Sequence, residues 1–483
     1  MSLPSKTIKG TVAIVGGGPA GLIAAWALVN DGYDVTVFEK HDQLTLARHA
    51  TLTQDSHTST FDIPMRPFST GYDANLLQLL NHLKVKTQIH RFLYTFWTTH
   101  NTNFEPKRYF SFFSNFHRIL PCLLLNKLIL NVLVFVWYIW FTLCVFLIPP
   151  RARGVNNNQT KTETETEPET LAQYARRIHL PDVFLDWYLL PLFASLLAWS
   201  HADLRACPAV YIADYRKRTL GAHHRTIADM RGFQDLLVAG IKRKLSAEVF
   251  SVHSQTRGGI RKVCVLSGRV GGRRHKHIRS PRSRFFDHVV VATDAKQAGR
   301  LCPPIRGITD ILNEGRVCVT VATAALEECY PRRSEPLGLV TLADPAGGYV
   351  TRLTYTTGPV EVPGVNVTVR PFSGTRINQL ALGKERKVME VFLTRPLPTA
   401  KSHDLLLDVF SRDDRTQPIV TGQSGKKEKA QAHWKNGDGG IWLAGGYAFA
   451  GLPLFEACVR SGLEAAEGIG ATIPFEIVRR TPF

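Results

Sequence analysis

The chain has 483 residues, 44% of them hydrophobic, which is enough to bury a large core and predicts two or three domains. Its eight cysteines are scattered without a C-x-x-C pair, which argues against a zinc ribbon or a disulfide framework and for reduced, buried thiols. The net charge of +19 admits three partners: an anionic membrane surface, nucleic acid, or water alone.

The polar start, Met1 to Thr7, leads straight into a first strand, so no signal peptide is expected and the location is read as intracellular. Thr11 to Val15 is a β-branched apolar run of the kind that forms a buried parallel strand. Gly16, Gly18 and Gly21 then spell G-x-G-x-x-G, with Gly17 inside the turn and Pro19 and Ala20 opening a helix that runs to Asn30. In this arrangement the first glycine permits the tight turn. The second lets a pyrophosphate approach the backbone, and the third lets helix and strand pack closely. Tyr33 to Phe38 is a second strand with Glu39 at its tip to accept ribose hydroxyls, followed by Lys40. A bare G-x-G-x-x-G is weak evidence. Here strand, helix and acid agree, and a merely structural turn leaves Glu39 to chance. Glu39 also disfavours a 2′-phosphorylated dinucleotide.

Polar residues 41–59 predict a loop with one helical turn, and Thr60 to Phe68 a short strand running into a loop. Leu76, Leu77, Leu79, Leu80 and Leu83 give Asn75 to Val85 one apolar helical face. Phe92 to Thr98 is an aromatic-rich strand. From 119 to 150 the chain changes character. Leu128 to Ile148 is 21 residues without a charge, about 31 Å as a helix, enough to cross a hydrocarbon core. Trp137, Tyr138 and Trp140 lie centrally, not at the interfaces, which fits a span imperfectly. Residues 154–170 are a low-complexity polar linker.

Helices are predicted over Leu171 to Ile178, Pro181 to Ser200, and Gly232 to Leu245. Strands follow at Val249 to His253 and Lys262 to Leu266. Residues 257–284 hold ten Lys and Arg and are read as a flexible basic loop; no aromatics interleave and no nucleic-acid motif surrounds them, so nucleic acid is not an expected partner. Phe286 to Asp294 is a buried strand ending in Ala-Thr293-Asp. Val317 to Thr323, Val340 to Leu342 and Val388 to Leu393 continue with antiparallel strands, and Gly422 to Lys429 is a solvated loop. Gly440-Ile-Trp-Leu-Ala-Gly445-Gly446-Tyr447 repeats the strand–glycine pattern, and Leu454 to Ile469 is its helix. His223-His224 and His275-x-His277 lack a third ligand nearby, so no metal is assigned. No G-x-S-x-G elbow is present to support a hydrolase triad.

Together these pieces resemble the flavin-containing amine oxidoreductase and phytoene desaturase superfamily. The residues that carry the resemblance are Gly16 to Glu39, Val289 to Asp294, and Leu443-Ala-Gly-Gly-Tyr with Glu456 to Ala466. Phe61-Asp-Ile-Pro-Met-Arg66, Pro191-Leu-Phe-Ala, Cys207-Pro-Ala, Asp214-Tyr and Gly451-Leu-Pro-Leu-Phe-Glu extend it to a branch of FAD-binding oxidoreductases associated with lipid modification.

The resemblance implies an α/β chain, a Rossmann-like FAD-binding domain of the glutathione-reductase and amine-oxidase type with an inserted α+β substrate domain, to which the apolar stretch at 119–150 adds a membrane-associating helix. It divides the chain into 1–75, 231–300 and 436–483 for FAD, and 76–230 and 301–435 for substrate. It implies FAD held by Gly16, Gly17, Gly18, Pro19, Ala20, Gly21, Glu39, Lys40, Arg48, Thr293, Gly445, Gly446 and Tyr447. Arg66, Tyr447 and Tyr72 are the candidate catalytic residues, with His57 and Asp62 weaker ones; for each the plain alternative is an ordinary hydrogen-bonded residue.

There are two departures. Leu46-Ala-Arg48-His49 stands where amine oxidases have Gly-Gly-Arg, and Gly445-Gly446 where Gly-Asp is common. Both speak against true amine oxidation and leave FAD binding in place.

If the fingerprint at 16–39 and the closure at 440–467 build one site, a single span at 128–148 would put them on opposite sides of a membrane. The apolar segment is therefore re-entrant, in-plane, or a buried substrate wall. The expected reaction is oxidation, desaturation or isomerisation of a hydrophobic, lipid-like substrate. Amine oxidation and a non-catalytic flavoprotein partner of a lipid-modifying enzyme are the alternatives.

Overall fold

Three segments far apart in sequence end side by side. In the computed structural model, which describes residues 8–54, 57–62, 66–89, 93–99, 106–113, 125–151, 167–257, 259–269, 279–323, 337–343, 349–355, 365–371, 386–410 and 434–479, they build one parallel sheet. Its strands are β1 (Thr11–Val15), β2 (Asp34–Phe38), β3 (Lys242–Lys244), β4 (His288–Val291) and β5 (Ile441–Leu443), in the order β3-β2-β1-β4-β5. Val15 pairs with Phe38 on one side and Val291 on the other, and Val291 with Leu443, so the strand ends are level. β1 and β4 are flanked on both sides, and their valines are buried as a continuous apolar run requires.

Helix α1 (Pro19–Asn30) follows β1. Helices α2 (Leu125–Leu147) and α3 (Ala209–Thr219) belong to a separate helical layer, and α4 (Phe455–Ile469) follows β5. α4 packs directly on α1: a Cβ added at Gly462 would lie 2.6 Å from the Ala20 carbonyl oxygen. Glu456, in the first turn of α4, is buried and accepts hydrogen bonds from the Asn75 and Leu76 amides (3.0 and 2.9 Å) and from Asn75 Nδ2 (2.6 Å). It thus caps the helix Ala74–His82 from 380 residues away. A seven-stranded sheet forms the second layer, in the order 386–397, 313–323, 365–371, 349–355, 337–343, 93–99, 106–113. Strands from the predicted 76–230 region therefore complete the sheet of the predicted 301–435 region.

Several local expectations are corrected. His49–Gln54 pairs with His57–Asp62 as an antiparallel hairpin, so the strand expected from Thr60 starts earlier and has a partner in the stretch up to Ser59 that reads as a loop; Thr-rich segments can pair as strands with little apolar signature. Among its described residues the predicted basic loop is largely sheet: Ile260–Arg269 pairs with Arg279–Phe286, with Val263, Cys264 and Val265 buried. Residues 270–278 lie outside the described residues, as do 422–429 and most of the predicted linker. Its last residues do have structure, since Thr170 caps the helix Leu171–Arg177 and Glu169 pairs with Arg177. The helix predicted over Gly232 to Leu245 ends at Leu237; Gly240 turns the chain with φ +76° and Lys242–Lys244 joins the parallel sheet. The helix predicted over Pro181 to Ser200 is interrupted by a π-turn at Leu185–Leu189, just before Pro191, which has no N–H for a regular helical bond. The apolar stretch forms α2. Among the described residues, however, no helix is long and apolar enough to cross a membrane, and α2 lays one face on α3.

The start of β1 is pinned by Asp287, the residue before β4. Its carboxylate accepts from the Thr11 amide (2.9 Å) and hydroxyl (2.7 Å) and from Lys262. Burial raises the acid's pKa, but these three donors outweigh it and bring it down to about 2. A depressed carboxylate stabilises the fold above its unfolded pKa, and that stability is lost as the pH falls through the folded value. Asp287→Asn is expected to lower the melting temperature at pH 7 by a few degrees. The gap to the unmodified protein should close between pH ~4 and ~2; a gap independent of pH would contradict the assignment.

Candidate functional site

The level ends of β1, β4 and β5 open into a cleft of about 600 Å³. Gly16 makes the first turn at φ +110°, where a Cβ would lie 2.4 Å from the Ala292 carbonyl oxygen, so only glycine lets β1 and β4 end together. Gly18 is different. A Cβ there would meet nothing closer than 3.8 Å, so the turn is small on its cleft side because space is left there, not because protein fills it. Gly18 is the N-cap of α1 and no side chain caps the helix, so the first-turn amides ahead of Leu22, whose N–H donates to the Gly18 carbonyl at 3.0 Å, are available to an anion. Gly21 packs inward, its Cβ position 2.2 Å from the Gly16 carbonyl oxygen. Gly17 donates its N–H to Glu39 Oε2 at 2.8 Å.

Glu39 is 5% exposed, and Oε1 also accepts from the His41 amide (2.9 Å) and stands 2.6 Å from His41 Nδ1. The acid is thus held at the turn by backbone donors. Lys40, His41 and Arg48 line the same end of the cleft. The Leu46-Ala-Arg48 departure noted above therefore still delivers an arginine to the cleft.

On the other side stands the second glycine turn. Gly445 has φ +156°, and Ser461 of α4 clamps it twice, accepting from its N–H at 3.0 Å and donating to its carbonyl at 3.1 Å. α4 begins at Leu454 with no side-chain cap, and Leu454 and Phe455 line the cleft. Two helix N-termini thus border one cavity, a field that favours negative charge there. Arg66 lines it too; its guanidinium donates to the Leu46 carbonyl at 2.7 Å and lies 5.9 Å from the Phe455 ring centroid.

Thr293 and Asp294 enter from the end of β4, and Glu314 from strand Asn313–Thr323. Glu314 accepts from the Ala295 amide at 2.6 Å, and burial together with Asp294 raises its pKa. Tyr447 is 4% exposed and lines the cleft, yet its hydroxyl has no hydrogen-bond partner among the described residues. Burial, then the nearby Glu314 and Asp294 carboxylates, push its pKa up, so it remains a donor. A buried hydroxyl without a partner costs stability unless a ligand completes it.

The structure therefore brings Gly16, Gly18, Pro19, Ala20, Glu39, Lys40, Arg48, Arg66, Thr293, Gly445, Gly446 and Tyr447 to one cavity, with Gly17 and Gly21 holding its turn from behind. It does not bring Tyr72 there. That ring packs on Tyr215 at 5.0 Å, and its hydroxyl accepts from the Leu452 amide at 3.2 Å behind the wall. The side chains of His57 and Asp62 lie outside the described residues. Among the described residues no group of three His, Cys, Asp or Glu could hold a metal. Glu314 escapes the sequence reading, and Asp294, Ser461 and Glu456 are given no role by it. Glu456 and Ser461 lie in the stretch that carries the resemblance, but only their partners in space give them roles.

Comparison with known proteins agrees with this geometry. Residues 14–83 match the NAD(P)-binding Rossmann-like domain. The NAD-dependent dihydropyrimidine dehydrogenase subunit PreT of Escherichia coli (strain K12) is 57% identical over 37 residues, 8% of this chain and 9% of that protein. The Salmonella typhi homologue of that subunit is 52% identical over 40 residues. The chain thus matches only about a tenth of the length of these curated relatives.

Among solved structures, the CLA-producing fatty acid isomerase from P. acnes covers 95% of this chain and 98% of its own, with a TM-score of 0.58 and 12% identity. Putrescine oxidase bound to putrescine covers 96% and 99%, with a TM-score of 0.55 and 17% identity. Cyclohexylamine oxidase from Brevibacterium oxydans IH-35A covers 95% and 98%, with a TM-score of 0.53 and 14% identity. The chain shares the fold of these oxidases and of the fatty acid isomerase, in line with the sequence resemblance.

Removing the Tyr447 hydroxyl separates the two states of the cleft. Tyr447→Phe is expected to leave the melting temperature of the ligand-free protein unchanged or higher. Its affinity for added FAD should fall by about fivefold to tenfold, the worth of one hydrogen bond. Titration of the two proteins with FAD, followed by tryptophan fluorescence, checks this.

Proposed function

We propose that the chain is an FAD-dependent oxidoreductase that acts on a hydrophobic, lipid-like substrate. The observation that carries the cofactor reading is the meeting of two glycine turns, Gly16 to Gly18 after β1 and Gly445-Gly446 after β5, on either side of the β4 end in one cleft beneath two uncapped helix N-termini. The orphaned Tyr447 hydroxyl and the space beside Gly18 fit a ligand of that length. Gly16 to Ala20 and the α1 amides would hold the diphosphate, with Arg48 adding charge. Glu39 would take the ribose hydroxyls, which fits an unphosphorylated ribose. Thr293, Gly445, Gly446 and Tyr447 would hold the remainder, and the α4 N-terminus would favour the negative charge that gathers there on reduction.

FAD supplies hydride acceptance from a substrate carbon. The protein's task is to bind an apolar chain, orient it and exclude water. Leu196, Leu393, Pro396 and Leu454 give the cleft an apolar wall beyond the glycine turns, suited to such a substrate. Arg66, fixed between the Leu46 carbonyl and the Phe455 ring, is an orienting group with a permanent charge, not a proton carrier. Tyr447 is a hydroxyl that donates. Tyr72, committed to Leu452, is left with a structural role.

Desaturation and dehydrogenation remove hydride from carbon, and an isomerisation can share that step if the hydride is returned to another carbon of the chain; one of the fold neighbours is by name a fatty acid isomerase. The competing readings are amine oxidation and a flavoprotein without turnover.

Anaerobic mixing of the FAD-loaded protein with a panel of unsaturated fatty acids, polyenes and amines distinguishes them. Bleaching of the flavin, or a shift of double-bond position in the recovered lipid, is expected with an apolar chain. Bleaching by amines alone, with hydrogen peroxide released in air, would replace the proposal by amine oxidation. No response to any class would replace it by a non-catalytic role.

A further inference from the structure

Helix α2 has two faces of different fate. Val134, Phe141, Cys144 and Val145 are buried in the helical layer. Val132, Val136, Ile139, Leu143, Phe146 and Leu147 point the other way and are between 42% and 76% exposed. At about 100° per residue the two sets lie on opposite sides of the helix. The outer stripe, Val132 to Leu147, is about 22 Å long at the helical rise. It contains no charged residue, as Leu128 to Ile148 has none. A monomeric soluble protein rarely leaves such a patch bare.

The inner face is firmly held. Trp140 donates its indole N–H to the Ile178 carbonyl at 2.8 Å, and Tyr174 its hydroxyl to the Ile148 carbonyl at 3.1 Å. Phe141 and Val145 are at most 1% exposed. A helix fixed along its length to the protein on one side has only its other side to offer.

The border of the stripe is cationic. Arg216 of α3 donates to Thr142 Oγ1 at 3.1 Å and lies 4.5 Å from the Tyr138 ring centroid. Lys217 Nζ lies 5.5 Å from the Phe146 ring centroid. Arg151 follows the helix, and Arg177 donates to the Pro149 carbonyl at 3.0 Å. Among the described residues of this border the acids Glu169 and Asp214 are paired with Arg177 and Arg218, so that with Arg151, Arg216 and Lys217 the cations are in excess. The helical layer is also continuous with the cleft: Leu196 and Leu454 pack against the same cluster as Phe141 and Val145, and both line the cleft.

We infer that the outer face of α2 docks in the plane of an anionic lipid leaflet, its apolar stripe entering the headgroup–acyl boundary and its cationic border resting on the phosphates. Apolar face, basic border and shallow depth are the features of a helix that lies in a membrane without crossing it. The inference deepens the reading of a lipid-like substrate, because it sets the apolar side of the cleft towards the leaflet. Its test does not involve turnover, so either can fail alone.

Flotation of the purified full chain with vesicles of phosphatidylcholine, with and without phosphatidylserine, tests it. Binding is expected to be about tenfold tighter with phosphatidylserine and to weaken in high salt without vanishing. The triple variant Ile139→Glu, Leu143→Glu, Phe146→Glu should lose vesicle binding by about tenfold or more while keeping its melting temperature. Should it unfold, Val132→Glu with Val136→Glu probes the same face. Unchanged vesicle binding by a folded variant, or no binding by the unmodified protein, would overturn the inference. So would a dimer in solution that these variants split, since the face would then be covered by a second copy.

Discussion

The structure depends on one close approach: the ends of β1 and β4 meet at Gly16, where no Cβ could stand against the Ala292 carbonyl. That contact makes Val15, Val291 and Leu443 neighbours although hundreds of residues separate them in the chain. The cleft is a consequence, because strands that end together leave a shared mouth, and the helices that follow β1 and β5 point their N-termini into it. α4 holds the arrangement from behind, through Gly462 against α1 and through Ser461 around Gly445. Closure also constrains everything between the strands. The chain leaves the sheet at β2, builds the hairpin, the helical layer and α2, and must return to the same side at β3, β4 and β5.

The parts legible in the sequence are those whose physics is local. The run Thr11 to Val15, the glycines at 16, 18 and 21, and the acid at 39 depend on neighbours a few residues away, and they fold as read. Where partners are distant, local signals fall silent or mislead. Lys242–Lys244 has no apolar residue, yet it is a strand because β2 offers an edge and Lys244 lies 5.8 Å from the Phe38 ring centroid. The hairpin strands His49–Gln54 and His57–Asp62 are mostly polar and carry little local signal of their pairing. Tyr72 looks, from position, like a cleft residue, but Leu452 claims its hydroxyl from 380 residues away. Glu456 is a buried acid in the strongest stretch of resemblance, and burial raises its pKa; its partners, the amides of Asn75 and Leu76, could not be read from its surroundings in sequence.

The electrostatics of the cleft follow from the same geometry. Its two ends carry positive helix termini and cationic side chains, while Glu39, Asp294 and Glu314 stand at the strand tips, Glu39 and Glu314 each holding a backbone amide. An elongated ligand with an anionic middle and hydroxyl groups at intervals meets complementary partners along this path. Leu196 and Leu454 of the apolar wall pack against the same cluster as the inner face of α2, so the cofactor reading and the lipid reading support each other without being the same claim.

The central claim is that these separated segments grip one FAD. The absorption spectrum of the purified full chain, taken after incubation with excess FAD and gel filtration, tests it most directly. The account predicts the visible bands of an oxidised flavin at one flavin per chain, and their loss in Gly18→Val, whose side chain would fill the space beside the turn. A colourless protein after reconstitution, or a Gly18→Val variant that retains flavin as well as the unmodified chain, would contradict it.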